Sequence, residues 1–541
     1  MKIQFGAQSI IQEGSLVLSS STSLVVQKMN IISKQNCKIT LSNYQLNIFS
    51  SSTVTAKITK LLVNLSFAQS SGNITLISNI NGILNISGYQ IMGDYNSTST
   101  VALIGINLNA ASVNVNQISF QPNVFNVGNG SSYLFGSAVS TQSTIMINNL
   151  SIIMGNNSNY QVLCSISTSN PSTIYYLFGG VIANINSSSI VTIENVILDC
   201  YQQFNTNFVS NFGILVGYVQ SISATVTVKN VCMQQNMTGT DISFNNYGFI
   251  GNTNGNTSLQ NVFYTQSVEG SLRIFEFGII GAQQYDSLYA EVINLTTSMK
   301  KVNDNTSMII GSVFGVQAAK NCSIQNITVL GGNISGYAFI GGFIGQLNSQ
   351  NIVILSSSIC NLNISGQGNI GGIIGYQSPN SNSLFQNISI SDTNVSSFSN
   401  SYVGGFIGQQ YSNVTIIDSS ISKVNIQDVS IYNVSASGGF IGCQNSNANS
   451  MILNSQISDL NISGANQVGG IIGCSGNLYL TDTKIQTVRI SSLNSKFGIV
   501  VGNSEGVYSI TSSLTTSNFI NGVLQRDCPF LANTWSIVGC V

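Results

Sequence analysis

The sequence predicts an all-β protein: a parallel β-solenoid (β-helix) of about twelve coils, roughly 30–35 residues each, with terminal caps. Three observations predict it. A short glycine motif recurs along most of the chain, a polar column runs in step with it, and the composition favours strands and tight turns over helix. That composition includes 51 glycines, only 4 prolines and 43% apolar residues. Disorder is a poor reading, because the apolar residues are both abundant and regularly spaced.

The glycine motif is clearest as "IGGFIGQ", which carries Gly341, Gly342 and Gly345. "IGGIIGY" supplies Gly371, Gly372 and Gly375, and "VGGFIGQ" supplies Gly404, Gly405 and Gly408. "SGGFIGC" follows with Gly438, Gly439 and Gly442, then "VGGIIGC" with Gly469, Gly470 and Gly473. Degenerate copies extend the series to "FGIVVGN" at Gly502 and back through "IGSVFGV", "FGIIGA", "YGFIGN", "FGILVGY", "LFGGVIA" and "LFGSAVS" to "VALIGIN" at Val101. Glycine tolerates positive φ and close backbone approach, and a corner leading into a strand demands such freedom.

About ten residues after each motif comes an alternating strand and then a small polar residue. The column reads Asn116, Asn149, Asn195, Asn230, Asn261, Asn294, Asn326, Ser356, Asp392, Asp418, Asn454 and Asp482. Stacked at the strand spacing, its amides would form a ladder. A third element, "NISG", begins at Asn333, Asn363 and Asn461. Three columns repeating together describe a coil of about three strands.

The ends differ. Residues 1–100 alternate well, as in "CKITLSNYQLNIF", but lack the glycine motif; they are expected to form an N-terminal cap or divergent coils. Residues 101–505 are the repeats. Residues 506–541 contain "RDCPFLANTWSIVGC" and are expected to cap the open last coil against end-to-end pairing.

Ten cysteines invite two pairings. Cys443 and Cys474 each follow "IG" in successive coils, which places them within disulfide range; Cys528 and Cys540 could close a loop in the cap. The alternative is that these cysteines are small buried hydrophobes. No CxxC or Cys-His spacing points to a metal. Asn-x-Ser/Thr sequons are numerous, including those at Asn333, Asn363 and Asn461. Chance accounts for most of them in a chain this rich in Asn, Ser and Thr, and Asn333 and Asn363 would stack too closely for two glycans.

Composition also excludes functions. Zero histidines remove Ser-His-Asp, Cys-His and HExxH chemistry. Charged residues are 6% and net charge is −1, so no basic stripe awaits nucleic acid or anionic lipid. No apolar run is long enough to span a membrane. The first residues, "MKIQFGAQSIIQEGSLVLSS", lack the apolar core of a signal peptide; either the protein is not secreted or the chain lacks its true beginning. Asp392 and Asp418, read as column neighbours, could share a proton or hold Ca²⁺, yet no Lys or Arg row accompanies them. No cofactor is expected. "TVTV" at Thr225 is isolated and argues against an ice-binding array.

The repeats resemble GLUG repeats, whose pattern is GGL(V/I)G, an Asn-Ser strand and a glycine-containing return. "GGFIG" and "GGIIG" keep that frame with Phe-Ile or Ile-Ile in place of Leu-Val. The resemblance runs from about Val101 to Asn503 and is strongest between Gly311 and Gly473. It implies a surface or secreted, adhesin-like scaffold and brings no catalytic residue. Some GLUG proteins carry a separate peptidase domain, but its zinc motif needs histidine. The expected function is a non-enzymatic cell-surface or secreted scaffold that contacts a protein or glycan through a neutral Ser/Thr/Asn-rich face. The alternative is a carbohydrate-binding or carbohydrate-processing β-helix. Its sign would be an exposed aromatic row, to which Tyr376, Tyr411 and Tyr432 could contribute, or an acid-base cluster in a groove.

Overall fold

The computed structural model describes mainly residues 55–153 and 177–524, with short interruptions, plus brief strands nearer the N-terminus; residues 525–541 lie outside it. Contacts divide the chain into two compact units, Met1–Arg273 and Ile274–Val541. Each is built of parallel strands stacked coil on coil, and the described residues contain no helix. The protein is a β-solenoid.

In the first unit, Ser23–Ser33, Thr55–Asn64 and Ile83–Asn96 stack in parallel register below Ser112–Asn126. The coil is therefore already running before the first glycine motif. Above it come Thr144–Ile153, Ile190–Phe204 and the start of Thr225–Thr253.

The second unit shows the repeat most plainly. One coil comprises Asn351–Gly366, Asn369–Gly371 and Ile374–Gln377. Its neighbours are Asn321–Gly336 before and Asn382–Ser397 after, paired residue for residue. Strict alternation puts Ile352, Ile354, Ile359, Leu362 and Ile364 in the interior, each essentially without solvent exposure. The alternation slips twice, at Ser356 and Asn361, and both have positive φ, 47° and 57°. A single left-handed residue lets two consecutive side chains face outward, bends the strand and starts the next side of the coil. Asn, Asp and Ser are the residues that tolerate this conformation best after glycine.

These corners form two columns, not one. In the second unit the first is Asn294, Asn326, Ser356, Asn387, Asp418, Asn454 and Asp482, with φ between 47° and 55°. The second is Asn361, Asp392, Lys423, Asp459 and Thr487, headed by Gly331. The sequence places Asp392 in the first column; the register gives that place to Asn387 and moves Asp392 five residues on. In the first unit Asn149, Asn195, Asn230 and Asn261 hold the corner, while Gln117 takes the position assigned to Asn116.

The motif glycines serve a different purpose. None has positive φ. A Cβ on Gly341 would overlap the carbonyl oxygen of Ile344 and lie 2.6 Å from that of Ile373. Close backbone approach, repeated at Gly371, Gly404, Gly438 and Gly469, is what requires glycine there. The bend they make leaves Phe343, Ile373, Phe406, Phe440 and Ile471 stacked inside.

Two buried polar rows complete the corners. Gln410 Nε2 donates to Ser412 O at 2.7 Å, and Gln444 Nε2 donates to Ala448 O at 2.7 Å, closing the turn after each glycine bend. Ser357, Ser419 and Ser455 follow a left-handed residue. Ser419 Oγ donates to Ile417 O at 2.8 Å and accepts from Ile388 N at 3.1 Å. These bonds satisfy backbone groups that the corner takes out of the sheet ladder.

Candidate functional site

In the second unit, the outer face of the stretch after the second corner, residues 362–366 in the coil described above, carries asparagine over asparagine. Asn363 Nδ2 donates to Asn333 Oδ1 at 2.7 Å, Asn394 to Asn363 at 2.6 Å, Asn425 to Asn394 at 2.8 Å, and Asn461 to Asn425 at 2.8 Å. Two residues on, Ser335, Ser365, Ser396, Gln427, Ser463 and Ser491 form a parallel polar row. Asn333, Asn363 and Asn461, singled out as sequons, are thus rungs; Asn394 and Asn425 join them. The N-x-S spelling arises here because an outward strand face repeats every second residue.

The next position above Asn461 is Arg489. Its guanidinium carbon lies 5.6 Å from the centroid of Phe519, a favourable cation–π distance. Phe519 begins a hairpin in which Phe519–Ile520 pairs antiparallel with Val523–Leu524. Among the described residues this reversal interrupts the parallel pairing that runs through the stack. Between hairpin and ladder lies a hollow of about 770 Å³, lined by Asn394, Asn425, Asn461, Arg489, Phe519 and Gly522 with the adjacent serines and Gln427. Among the described residues the lining includes no Asp or Glu. The ion pairs found among the described residues, Lys229–Glu194 and Lys423–Asp392, leave Arg489 out.

Two further amide ladders accompany this one. In the first-column corner, Asn149 donates to Asn116 at 2.8 Å and Asn195 to Asn148 at 2.7 Å. Asn230 donates to Asn195, and Asn261 to Asn230, each at 3.0 Å. In the second unit Asn326 donates to Asn294 at 3.1 Å, and Asn387 Nδ2 reaches Ser356 Oγ at 3.4 Å. Asp418, Asn454 and Asp482 occupy the same corner higher up. At the start of the coil, Asn351 donates to Asn321 at 3.3 Å, Asn449 to Asn413 at 2.9 Å and Asn477 to Asn449 at 3.0 Å.

A second feature lines the glycine bend. Phe339 stacks on Tyr376 at 4.6 Å, and Tyr376 lies 5.5 Å from Tyr411. Asn369 Nδ2 donates to Gln409 Oε1 at 2.6 Å, and Gln409 Nε2 donates to the Tyr411 hydroxyl at 2.9 Å. Burial, then the neighbouring Tyr411, raises the Tyr402 phenol above its ordinary range. These rings are half-buried and covered in part by one another; Tyr432 lies outside the described residues.

In the same row as Gln409, Cys443 is disulfide-bonded to Cys474 on the next coil, with Cα atoms 4.6 Å apart. Cys528 and Cys540 lie outside the described residues. Cys232 and Cys360 are free, and so is Cys322, whose thiol burial pushes up to about 12 despite a 3.0 Å hydrogen bond from Gln317.

The separation of the corner columns removes the arrangement considered for Asp392 and Asp418. Asp392 instead lies 3.9 Å from Lys423, an exposed pair. Among the described residues no three His, Cys, Asp or Glu side chains converge. No helix among them is long and apolar enough to cross a membrane.

Comparison with protein-family models, curated proteins and solved structures finds no match to this chain.

Proposed function

We propose that this protein is a non-enzymatic, adhesin-like repeat scaffold whose neutral Asn/Ser face contacts glycans, working at a cell surface or outside the cell. The observation that carries this reading is the Asn333–Asn461 ladder with its serine row and adjoining hollow. It is a fixed array of amide and hydroxyl groups with almost no charge. Such groups exchange hydrogen bonds with sugar hydroxyls at little desolvation cost compared with charged ones. Bonding within the ladder fixes the rotamers in advance, so less side-chain freedom is lost on binding. The likeness of the repeats to GLUG repeats and the disulfide between successive coils agree with an extracellular setting.

Screening the full chain on an immobilised glycan panel tests the reading, with Asn394→Ala/Asn425→Ala as the face variant. The expected result is binding of at least one glycan class by the parent and a loss of roughly tenfold or more in the variant. Equal binding by both, or none by the parent, would remove the ladder face from function.

A further inference from the structure

Resting on that reading, we propose that the Arg489 end of the hollow is a subsite for a carboxylate-bearing sugar, making the scaffold's ligand an acidic glycan. Three independent features of the second unit meet at this point.

The first is position. Arg489 stands in the register place that Asn333, Asn363, Asn394, Asn425 and Asn461 occupy below it. A glycan lying along the rungs therefore meets amides and hydroxyls over several coils and then one cation. The strand spacing of roughly 4.8 Å sets these groups at intervals close to the length of a pyranose residue. Extended sugar chains fit such a track without bending.

The second is preorganisation. Phe519 offers its ring to the guanidinium at 5.6 Å. A cation held over a ring uses the ring face and leaves its in-plane N–H donors for an acceptor. Those donors match a carboxylate in bidentate geometry, which an ammonium cannot.

The third is unspent charge. Among the described residues no acidic side chain lines the hollow, and Arg489 belongs to neither of the ion pairs found there. The volume of about 770 Å³ admits a ligand of small-oligosaccharide size. Arg489 is the one cation among the described lining residues, and this sets the ligand's character. Nucleic acids and polysulfated chains require rows of Lys and Arg, whereas one carboxylate set among hydroxyls requires one.

The test uses uronate and sialyl oligosaccharides, each paired with its methyl-esterified counterpart of equal length. Affinities for the full chain are measured by titration calorimetry, with acetate as the simple anion. At least one acid is expected to bind roughly tenfold or more tighter than its ester. Arg489→Gln should abolish the difference, Arg489→Lys should restore only part of it, and acetate alone should bind weakly. An unchanged unfolding midpoint in the two variants shows that the exposed Arg489 does not hold the fold. If acids and esters bind alike and Arg489→Gln changes neither, the acid subsite is wrong while the glycan-binding scaffold stands. If no pair discriminates because nothing binds, both readings fall. Acetate binding as tightly as the best acid would reduce the subsite to a simple anion site and overturn the proposal.

Discussion

At the residue scale, the left-handed asparagines combine two roles that substitution can separate. Asn230 has φ of 54°, donates to Asn195 and accepts from Asn261. Glycine would keep the backbone conformation and lose both amide bonds; alanine would lose the bonds and strain the backbone as well. Asn230→Gly is expected to destabilise the protein by about 1 kcal/mol and Asn230→Ala by about 2 kcal/mol, read from denaturant unfolding. Equal costs would mean that the ladder alone matters. Glu276 offers a second test. Burial raises its carboxyl from 4.5 to about 7, at a position in register with Ile309. Below pH 4.5 folded and unfolded chains both hold this proton. Between about pH 4.5 and 7 only the folded chain does, so this group's contribution falls as pH rises through that window and stays lost above it. Glu276→Gln should therefore raise the melting temperature at pH 8 and leave it nearly unchanged at pH 4. A variant equally stabilised at both values would show that charge burial is not the cause.

At the scale of the strand, the "NISG" segments show how a ladder constrains modification. Asn363 and Asn394 each donate Nδ2 to the rung below and accept from the rung above. A glycan on either nitrogen would have to occupy the gap to the next rung, one strand spacing away. Asn333 accepts from Asn363 and opens the series. Glycopeptide mapping of folded protein from a glycosylating host should find Asn363 and Asn394 bare; occupancy at Asn394 in well-folded material would disprove the ladder. Much of this element was legible beforehand. The glycine frame repeats nearly letter for letter, and the two-residue alternation gives each strand's inner face. Asn394 and Asn425 do not stand out in the sequence because "TNVSS" and "VNIQD" lack the trailing glycine. Asp392 is ambiguous for a different reason. Both corner columns accept Asn, Asp or Ser and lie five residues apart, so "NISISD" can be aligned on either end until pairing partners decide it. The buried Gln377, Gln410 and Gln444 were visible only as the second residue after each closing glycine, where nothing in the letters distinguishes burial from exposure.

At the scale of the whole molecule, a solenoid's stability is nearly a sum of coil and neighbour terms, so position within the stack should matter less than phase. Gly366 and Ser397 are register partners one coil apart. Removing residues 367–397 joins Gly366 to Phe398 and leaves every column continuous. Asn363 then meets Asn425, Ile354 meets Ile416 and Phe343 meets Phe406, each pair matched as its neighbours already are. This deletion should fold cooperatively, with the strand signal retained in circular dichroism and a urea m-value reduced in proportion to the lost surface. Removing residues 367–381 instead joins Gly366 to Asn382, deleting the glycine bend while keeping the strand that depends on it. One coil would then lack the Ile373 that sits between Phe343 and Phe406. More of the chain survives in this second variant, yet it should lose cooperative unfolding or aggregate, because an interrupted coil exposes strand edges on both sides of the gap. If the two deletions behaved alike, stability would follow chain length rather than phase. The repeat would then be a pattern in the letters without being the unit that folds.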